Sequence, residues 1–164
     1  MHKTNRIDVE FFRSILKYDA RTGLLRWRKS RGPVRAGSVA GYPLSRGQII
    51  IMVNERNYQA HRIAWAIYHG EDTLEDIDHK DCNPSNNRIR NLRIATASQN
   101  GGNSRPSRNG LKGAYPNSNG YTWMARIRVG QQKLYLGCFP TEQAAHEAYC
   151  RAAVEHFGEF ARFE

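Results

Sequence analysis

Asp78-His79-Lys80-Asp81-Cys82-Asn83-Pro84-Ser85-Asn86-Asn87-Arg88-Ile89-Arg90-Asn91-Leu92-Arg93, continued to Gln99-Asn100, decides how this chain is read. It sets a carboxylate beside an imidazole and follows them with amide side chains, in a segment too polar and too rich in Asn for an ordinary core element. The pattern predicts two short strands, one ending near Asp78-His79 and one near Leu92-Arg93, joined by an Asn/Pro/Ser loop. Thr96 is placed to cap a helix that begins at Ala97-Ser98-Gln99-Asn100. Asn83, Asn86 and Asn87 read as loop-forming residues rather than ligands, because Asn caps turns and tolerates left-handed backbone.

Such a set of groups suits metal-assisted cleavage of a phosphodiester. That reaction needs a nucleophile, neutralisation of charge at the scissile phosphate and help for the leaving oxygen. His79 can deprotonate water, since an imidazole titrates near neutrality. Asp78, its neighbour in a strand, points to the other side unless the strand ends or twists there, so a metal on Asp78 sits near the base and not on it. A hard divalent cation such as Mg²⁺ or Mn²⁺ takes oxygen ligands, and Asn100 can offer a carbonyl oxygen.

The surroundings are basic. The 164 residues carry a formal charge of +10, and a pI near 9.9 makes nucleic acid the first partner to consider. Residues 1–57 hold 12 Lys+Arg against 4 Asp+Glu, residues 58–104 hold 5 against 6, and residues 105–164 hold 8 against 5. Two basic flanks therefore bracket a centre whose carboxylates suit a cation. Cys82, Cys138 and Cys150 form no Cys-x-x-Cys pair, which indicates neither a disulfide framework nor a zinc knuckle but reduced thiols in a cytoplasm. With no apolar run of signal-peptide or membrane-span length, the expectation is a protein that is not secreted and has no membrane partner. No obligate protein partner is evident.

Working outward, Asp8 caps a short helix through Tyr18, and Asp19 to Gly23 makes a turn before a strand at Leu24–Trp27. Arg28 to Gly47 reads as loops and short hairpins. Ile49–Val53 and Tyr58–Ala60 flank Asn54–Asn57 as an antiparallel hairpin, and Arg62 to Tyr68 forms a helix with Ile63, Ala66 and Ile67 inward. Arg26, Arg28, Lys29, Arg31, Arg35 and Arg46 either track a phosphate backbone or stand as a solvated basic loop. Residues 101–110 contain no apolar side chain and read as a linker and domain boundary.

Beyond it, Tyr121, Trp123, Ala125, Ile127 and Val129 alternate with Thr122, Met124, Arg126 and Arg128, the signature of a half-buried strand. Lys133–Gly137 is a second strand after the turn Gly130-Gln131-Gln132. Thr141 caps a helix to about Phe157 whose inner face is lined by Ala144, Ala145, Ala148, Tyr149, Ala152 and Ala153, small enough for close approach to a sheet.

Residues Tyr58 to about Asn103 resemble the HNH endonucleases, in particular the phage and intron-encoded branch. The resemblance is carried by Ala60-His61-Arg62-Ile63-Ala64-Trp65, Ile77 to Asn83, Asn86-Asn87-Arg88, Asn91-Leu92-Arg93 and Ala95 to Asn100. It implies a ββα-metal fold, His79 as general base, Asp78 and Asn100 as ligands of one divalent metal, and Asn91 as the residue that braces the hairpin and orients the base. Many relatives place His where Asn100 stands, so fewer strong donors surround the metal and no structural zinc is expected. His61 stays open between a structural histidine and a participant in catalysis.

Lys112 to about Phe163 resembles the AP2 DNA-binding domain through Lys112-Gly113-Ala114-Tyr115, Trp123 to Arg128, Tyr135 to Phe139, Thr141 to Ala145 and Ala148-Tyr149. That resemblance implies a three-stranded antiparallel sheet packed on one helix, with the sheet in the major groove of duplex DNA. Arg126, Arg128, Lys133, Tyr135 and Lys112 are the expected DNA-binding residues, as bidentate readers of guanine or clamps on phosphate.

The expected fold is thus α+β: a small α/β N-terminal region over 1–57, an HNH nuclease core over 58–103, a linker over 104–110 and an AP2-like domain over 111–164. The expected function is a divalent-metal-dependent DNA endonuclease of phage or homing type. A transcriptional regulator with an inactive nuclease core and an enzyme acting on RNA are the competing readings; the presence together of Asp78, His79, Asn91 and Asn100 speaks against the first.

Overall fold

A computed structural model describes residues 6–104 and 110–163, and the chain divides between Ile94 and Ala95 into two compact units. The linker expected over 104–110 falls almost wholly outside the described residues. Among the described residues no helix is long and apolar enough to cross a membrane.

The first unit opens with α1 (Val9–Ile15), capped by Asp8, whose Oδ1 accepts from Phe11 N at 3.0 Å. The helix stops at Ile15 rather than Tyr18. Leu16–Asp19 is instead strand β1, paired antiparallel with β2 (Leu24–Trp27) in the register Leu16↔Trp27 and Tyr18↔Leu25. Apolar residues at 12, 15, 16 and 18 satisfy both periods, and backbone pairing with β2, together with complete burial of Leu16, decides for the strand. Between the strands, Asp19 Oδ1 accepts from the amides of Arg21 and Thr22, forming the expected turn.

β4 (Ile49–Val53) pairs antiparallel with β5 (Arg56–Gln59), and β3 (Tyr42–Pro43) adds to the other edge of β4. The connection is shorter than the four residues expected. Asn54 and Glu55 alone turn the chain, both with left-handed φ of 48° and 61°, the arrangement whose twist matches the flanking strands.

Helix α2 (Ala60–His69) starts two residues before the expected Arg62 and ends at Gly70. It buries Ile63, Ala64 and Ala66 against Phe12, Leu16 and Ile51, while Ile67 is half-buried at the edge of the same core. Arg62, also buried, is held by Asp72 Oδ1 at 3.0 Å, Glu75 O at 3.1 Å and the carbonyl of Thr73. β6 (Asp76–His79) and β7 (Leu92–Ala95) then pair as a two-stranded sheet, with the loop and a 3-10 turn at Ile89–Asn91 between them.

In the second unit α3 (Ala97–Gly102) begins with a reciprocal cap. Thr96 Oγ1 accepts from Gln99 N, and Gln99 Oε1 accepts from Thr96 N at 2.8 Å. β8 (Ala114–Pro116), β9 (Trp123–Val129) and β10 (Gln132–Phe139) form an antiparallel sheet in the order β10-β9-β8. Helix α4 (Glu142–Phe157), capped by Thr141, lays Ala145, Ala148, Ala152 and Ala153 against Ala125 and Ile127 of β9, with Tyr149 and Phe157 filling the ends. The alternation expected along β9 holds from Trp123 to Val129. Tyr121 departs from it, at 86% exposure, because the chain there is still in a turn whose Asn119 Oδ1 accepts from the amides of Tyr121 and Thr122.

Candidate active site

Asp78 and His79 close strand β6, and both are buried. Their side chains meet different partners, as adjacent strand residues must. Asp78 Oδ2 accepts from Arg93 Nε on β7 at 2.9 Å, an ion pair whose side chains are 6% and 12% exposed. Such a shielded pair sets the direction of the carboxylate and is strongly unfavourable to break from one side.

His79 Nε2 lies 3.0 Å from Asn87 Oδ1. The rings of His79 and of His61 from α2 meet edge to face, with centroids 5.1 Å apart and planes at 81°. Burial, then the charges of His79 and Arg62, push His61 down to about 3, so this second imidazole is neutral at physiological pH. A charged group in its place would oppose a positive charge on His79.

The Asn-rich loop is built by its own side chains. Asn91 Nδ2 donates to Asp81 Oδ1 at 2.9 Å and to Asn86 O at 2.8 Å, and its Oδ1 accepts from Asp81 N at 3.1 Å. Asn86 Nδ2 donates to Asp81 Oδ2 at 2.6 Å, while Asn83 Oδ1 accepts from Ser85 N and Oγ. Burial acts upward on the Asp81 carboxyl, but hydrogen bonds from Asn86, the Asn83 backbone and Asn91 hold it below the usual carboxylate range. A charged Asp81 is therefore the hub of the loop, and the buried Asn91 bridges it to the start of β7. Asn91 makes these contacts with the loop; Asn87 is the amide at the imidazole.

Asn100 is exposed on α3 and belongs to the second unit, whereas Asp78, His79, Asn87 and Asn91 belong to the first. Among the described residues no three of His, Cys, Asp and Glu gather as a metal-holding cluster. The donor types of Asp78 and Asn100, carboxylate and amide oxygen, fit a hard divalent cation that keeps water or phosphate in its remaining positions.

On the second unit, Arg126, Arg128, Lys133 and Tyr135 are all exposed. The register sets Arg126 opposite Tyr135 and Arg128 opposite Lys133. Tyr135 donates to Cys138 Sγ at 3.0 Å, and that bond raises its phenol above the ordinary range. Two cations directly opposed across a sheet repel, so Arg128 and Lys133 favour an anion laid over them.

Lys112, expected on the same surface, is placed differently. Its Nζ donates to Gly102 O at 2.7 Å, Ser104 O at 2.6 Å and Arg162 O at 3.0 Å, which accounts for all three protons of an ammonium. Its own carbonyl lies 2.8 Å from Nδ1 of the buried His146. In the N-terminal region Arg26 and Arg28 donate to the carbonyls of Gly37 and Leu16, and Arg31 lies over the Trp27 ring. Three of those arginines thus serve local structure.

The sequence reading takes Asn87 as a loop-forming residue and gives Arg93 no role. Arg93 carried a signal, since it sits on the strand paired with that of Asp78; Asn87 carried none that set it apart from Asn83 and Asn86.

Residues 58–101 match the family model described as HNH endonuclease. The matched segment contains Asp78, His79, Asn87, Asn91 and Asn100. Among solved structures, the chain is similar to one described as DNA binding and cleavage by the HNH homing endonuclease I-HmuI, at 26% identity and a TM-score of 0.41. The likeness covers 55% of this chain and 51% of that one, so the chain matches about half the length of that protein. No curated protein matches.

Proposed function

We propose that the protein is a divalent-metal-dependent DNA endonuclease of phage or homing type, acting in the cytoplasm of a bacterial or phage-infected cell. The observation that carries this reading is the buried Asp78-His79 pair within the HNH segment, each side chain held by its own partner, Arg93 and Asn87. Asp78 would hold one Mg²⁺ or Mn²⁺ through its carboxylate, and the family resemblance assigns Asn100 as a further ligand. When bound, the ion supplies positive charge for the scissile phosphate and the departing oxygen.

His79 takes the proton of the attacking water. The water oxygen bonds to phosphorus as the ester P–O bond breaks, and the leaving oxygen is protonated from solvent. Arg93 fixes the direction of Asp78, and Asn91 with Asp81 keeps the loop between the strands in one shape, so the groups need not reorganise during the reaction.

The second unit serves as the DNA-binding module, in the manner of an AP2 domain. Arg126, Arg128, Lys133 and Tyr135 form its contact surface, supported by their common exposure on one sheet face and by the opposed cations Arg128 and Lys133. Incubation of the chain with supercoiled DNA and Mg²⁺ or Mn²⁺ is expected to give nicked or linear product, and a chelator is expected to stop it. His79→Ala should abolish cutting at nearly unchanged DNA affinity. Full cleavage by that variant with metal present would overturn the proposal.

A further inference from the structure

We infer that the row formed by Tyr115, Met124 and Cys138 on the outer face of the second unit's sheet reads the C5-methyl group of a thymine, and that Arg126 reads a guanine in the neighbouring base pair. The inference rests on the reading of this unit as a DNA-binding module, and adds to it the groups that discriminate between sequences. Register sets the row in one line: Tyr115 of β8 lies opposite Met124 of β9, and Met124 opposite Cys138 of β10. Residues two apart on a strand share a face, so Met124 stands beside Arg126, away from Ala125 and Ile127, which are buried in the cores formed with α4. Tyr115 is 48% exposed, Cys138 is exposed and Met124 half-buried.

The sulfur atoms of the row already have donors. Cys138 Sγ accepts from the Tyr135 hydroxyl at 3.0 Å and from Asn117 Nδ2 at 3.6 Å, and Met124 Sδ accepts from Arg126 Nη2 at 3.2 Å. Met124 and Cys138 therefore offer a soft apolar surface rather than a hydrogen-bonding one. Charge decides what covers it. Residues 110–141 contain Lys112, Arg126, Arg128 and Lys133 but no Asp or Glu, and the acids of this unit fall at Glu142 and beyond. An apolar row inside a purely cationic sheet suits a polyanion that itself carries an apolar group. In duplex DNA that group is the thymine methyl, which lies in the major groove.

The spacing extends the reading to two base pairs. Guanidinium and thioether touch at 3.2 Å, close to the roughly 3.4 Å rise between stacked bases, so the two side chains can meet adjacent pairs. A thioether is a weak acceptor, and guanine O6 and N7 outcompete it for the guanidinium.

The test uses the full-length chain without divalent metal. Duplexes selected by the wild type from a random-sequence pool should share a thymine beside a guanine. The tightest is remade with deoxyuridine, which lacks only the methyl, in place of every thymine. Anisotropy should show it bound about fourfold more weakly per contacted methyl. Met124→Gln, similar in length but polar, should bind both duplexes equally and keep the wild-type salt slope, since no charge changes. Equal binding of the two duplexes by the wild type overturns the inference, as do selected sequences without the thymine–guanine step or full discrimination retained in Met124→Gln. Dimers of the free chain that survive high salt and vanish in Met124→Gln would assign the row to a second copy and overturn it too. Absence of salt-dependent binding to any pool duplex would sink the DNA-binding reading itself, whereas equal binding of the two duplexes leaves that reading standing.

Discussion

Replacing His61 with Phe should remove much of the acid sensitivity of the first unit. The ring is 7% exposed, meets that of His79 edge to face, and is pushed from the ordinary 6.5 down to about 3 by burial. In the unfolded chain the same imidazole titrates at the ordinary value, so between those two limits the unfolded state binds a proton that the folded state refuses. Stability is therefore whole above about pH 6.5 and declines as pH falls toward about 3.

Each unit of separation is worth about 1.4 kcal/mol, so lowering the pH from about 7.5 to about 5 should withdraw about 2 kcal/mol, roughly a thirtyfold change in the unfolding equilibrium. The Phe variant keeps an aromatic ring in the slot and has nothing to protonate. Urea unfolding followed by Trp27 and Trp65 fluorescence in a Trp123→Phe background reports on the first unit. If wild type and His61→Phe lose the same stability between the two pH values, burial of a neutral His61 is not what sets the acid limit.

Tyr18→Phe deletes the hydroxyl that reaches Asn87 O at 2.7 Å and should destabilise the first unit by about 1–3 kcal/mol, since a part-buried carbonyl loses its donor; the same unfolding assay at neutral pH measures it. Arg126→Ala and Arg128→Ala should each weaken binding of a labelled duplex in the absence of divalent metal and lower the slope of log affinity against log salt by about one, read by anisotropy over a salt series. An unchanged slope in both would remove that sheet face from the DNA interface. Lys112→Met should lower the thermal midpoint of the second unit, at a cost of about 1.5–3 kcal/mol per charged hydrogen bond not replaced, while leaving the DNA affinity of folded protein alone. A selective loss of DNA affinity would return Lys112 to the interface.

What could be read without coordinates was local chemistry. Asp8, Thr96 and Thr141 each present a short side-chain oxygen at a helix start, and each caps the helix that follows. The strand at β9 was legible because its alternation is set by one buried face, and it failed at Tyr121 because a residue whose backbone amide is held in an Asx-type turn no longer follows the pleat. The end of α1 was not legible, since residues 12 to 18 fit a helix and a strand equally and only the pairing with β2 decides. Lys112 shows the complementary failure. A lysine in a basic module invites an anion, yet backbone carbonyls from three places in the second unit take its protons.

The Asn-rich loop shows why the amide beside His79 stayed hidden. Asn83, Asn86 and Asn87 are chemically one residue type within five positions of each other, and nothing in their order ranks them. What separates them is burial: Asn83 is exposed, Asn86 half-buried, and Asn87 buried, its carbonyl accepting from Tyr18 of β1, 69 residues earlier in the chain. The hydrogen bond to His79 follows from that placement, because an exposed amide would exchange partners with water. An N-terminal region read for its charge thus acts on the Asn-rich loop through packing: Gly23 with no room for a Cβ, the Tyr18 hydroxyl and the backbone carbonyls of Ala20 and Arg21 set the loop beside His79.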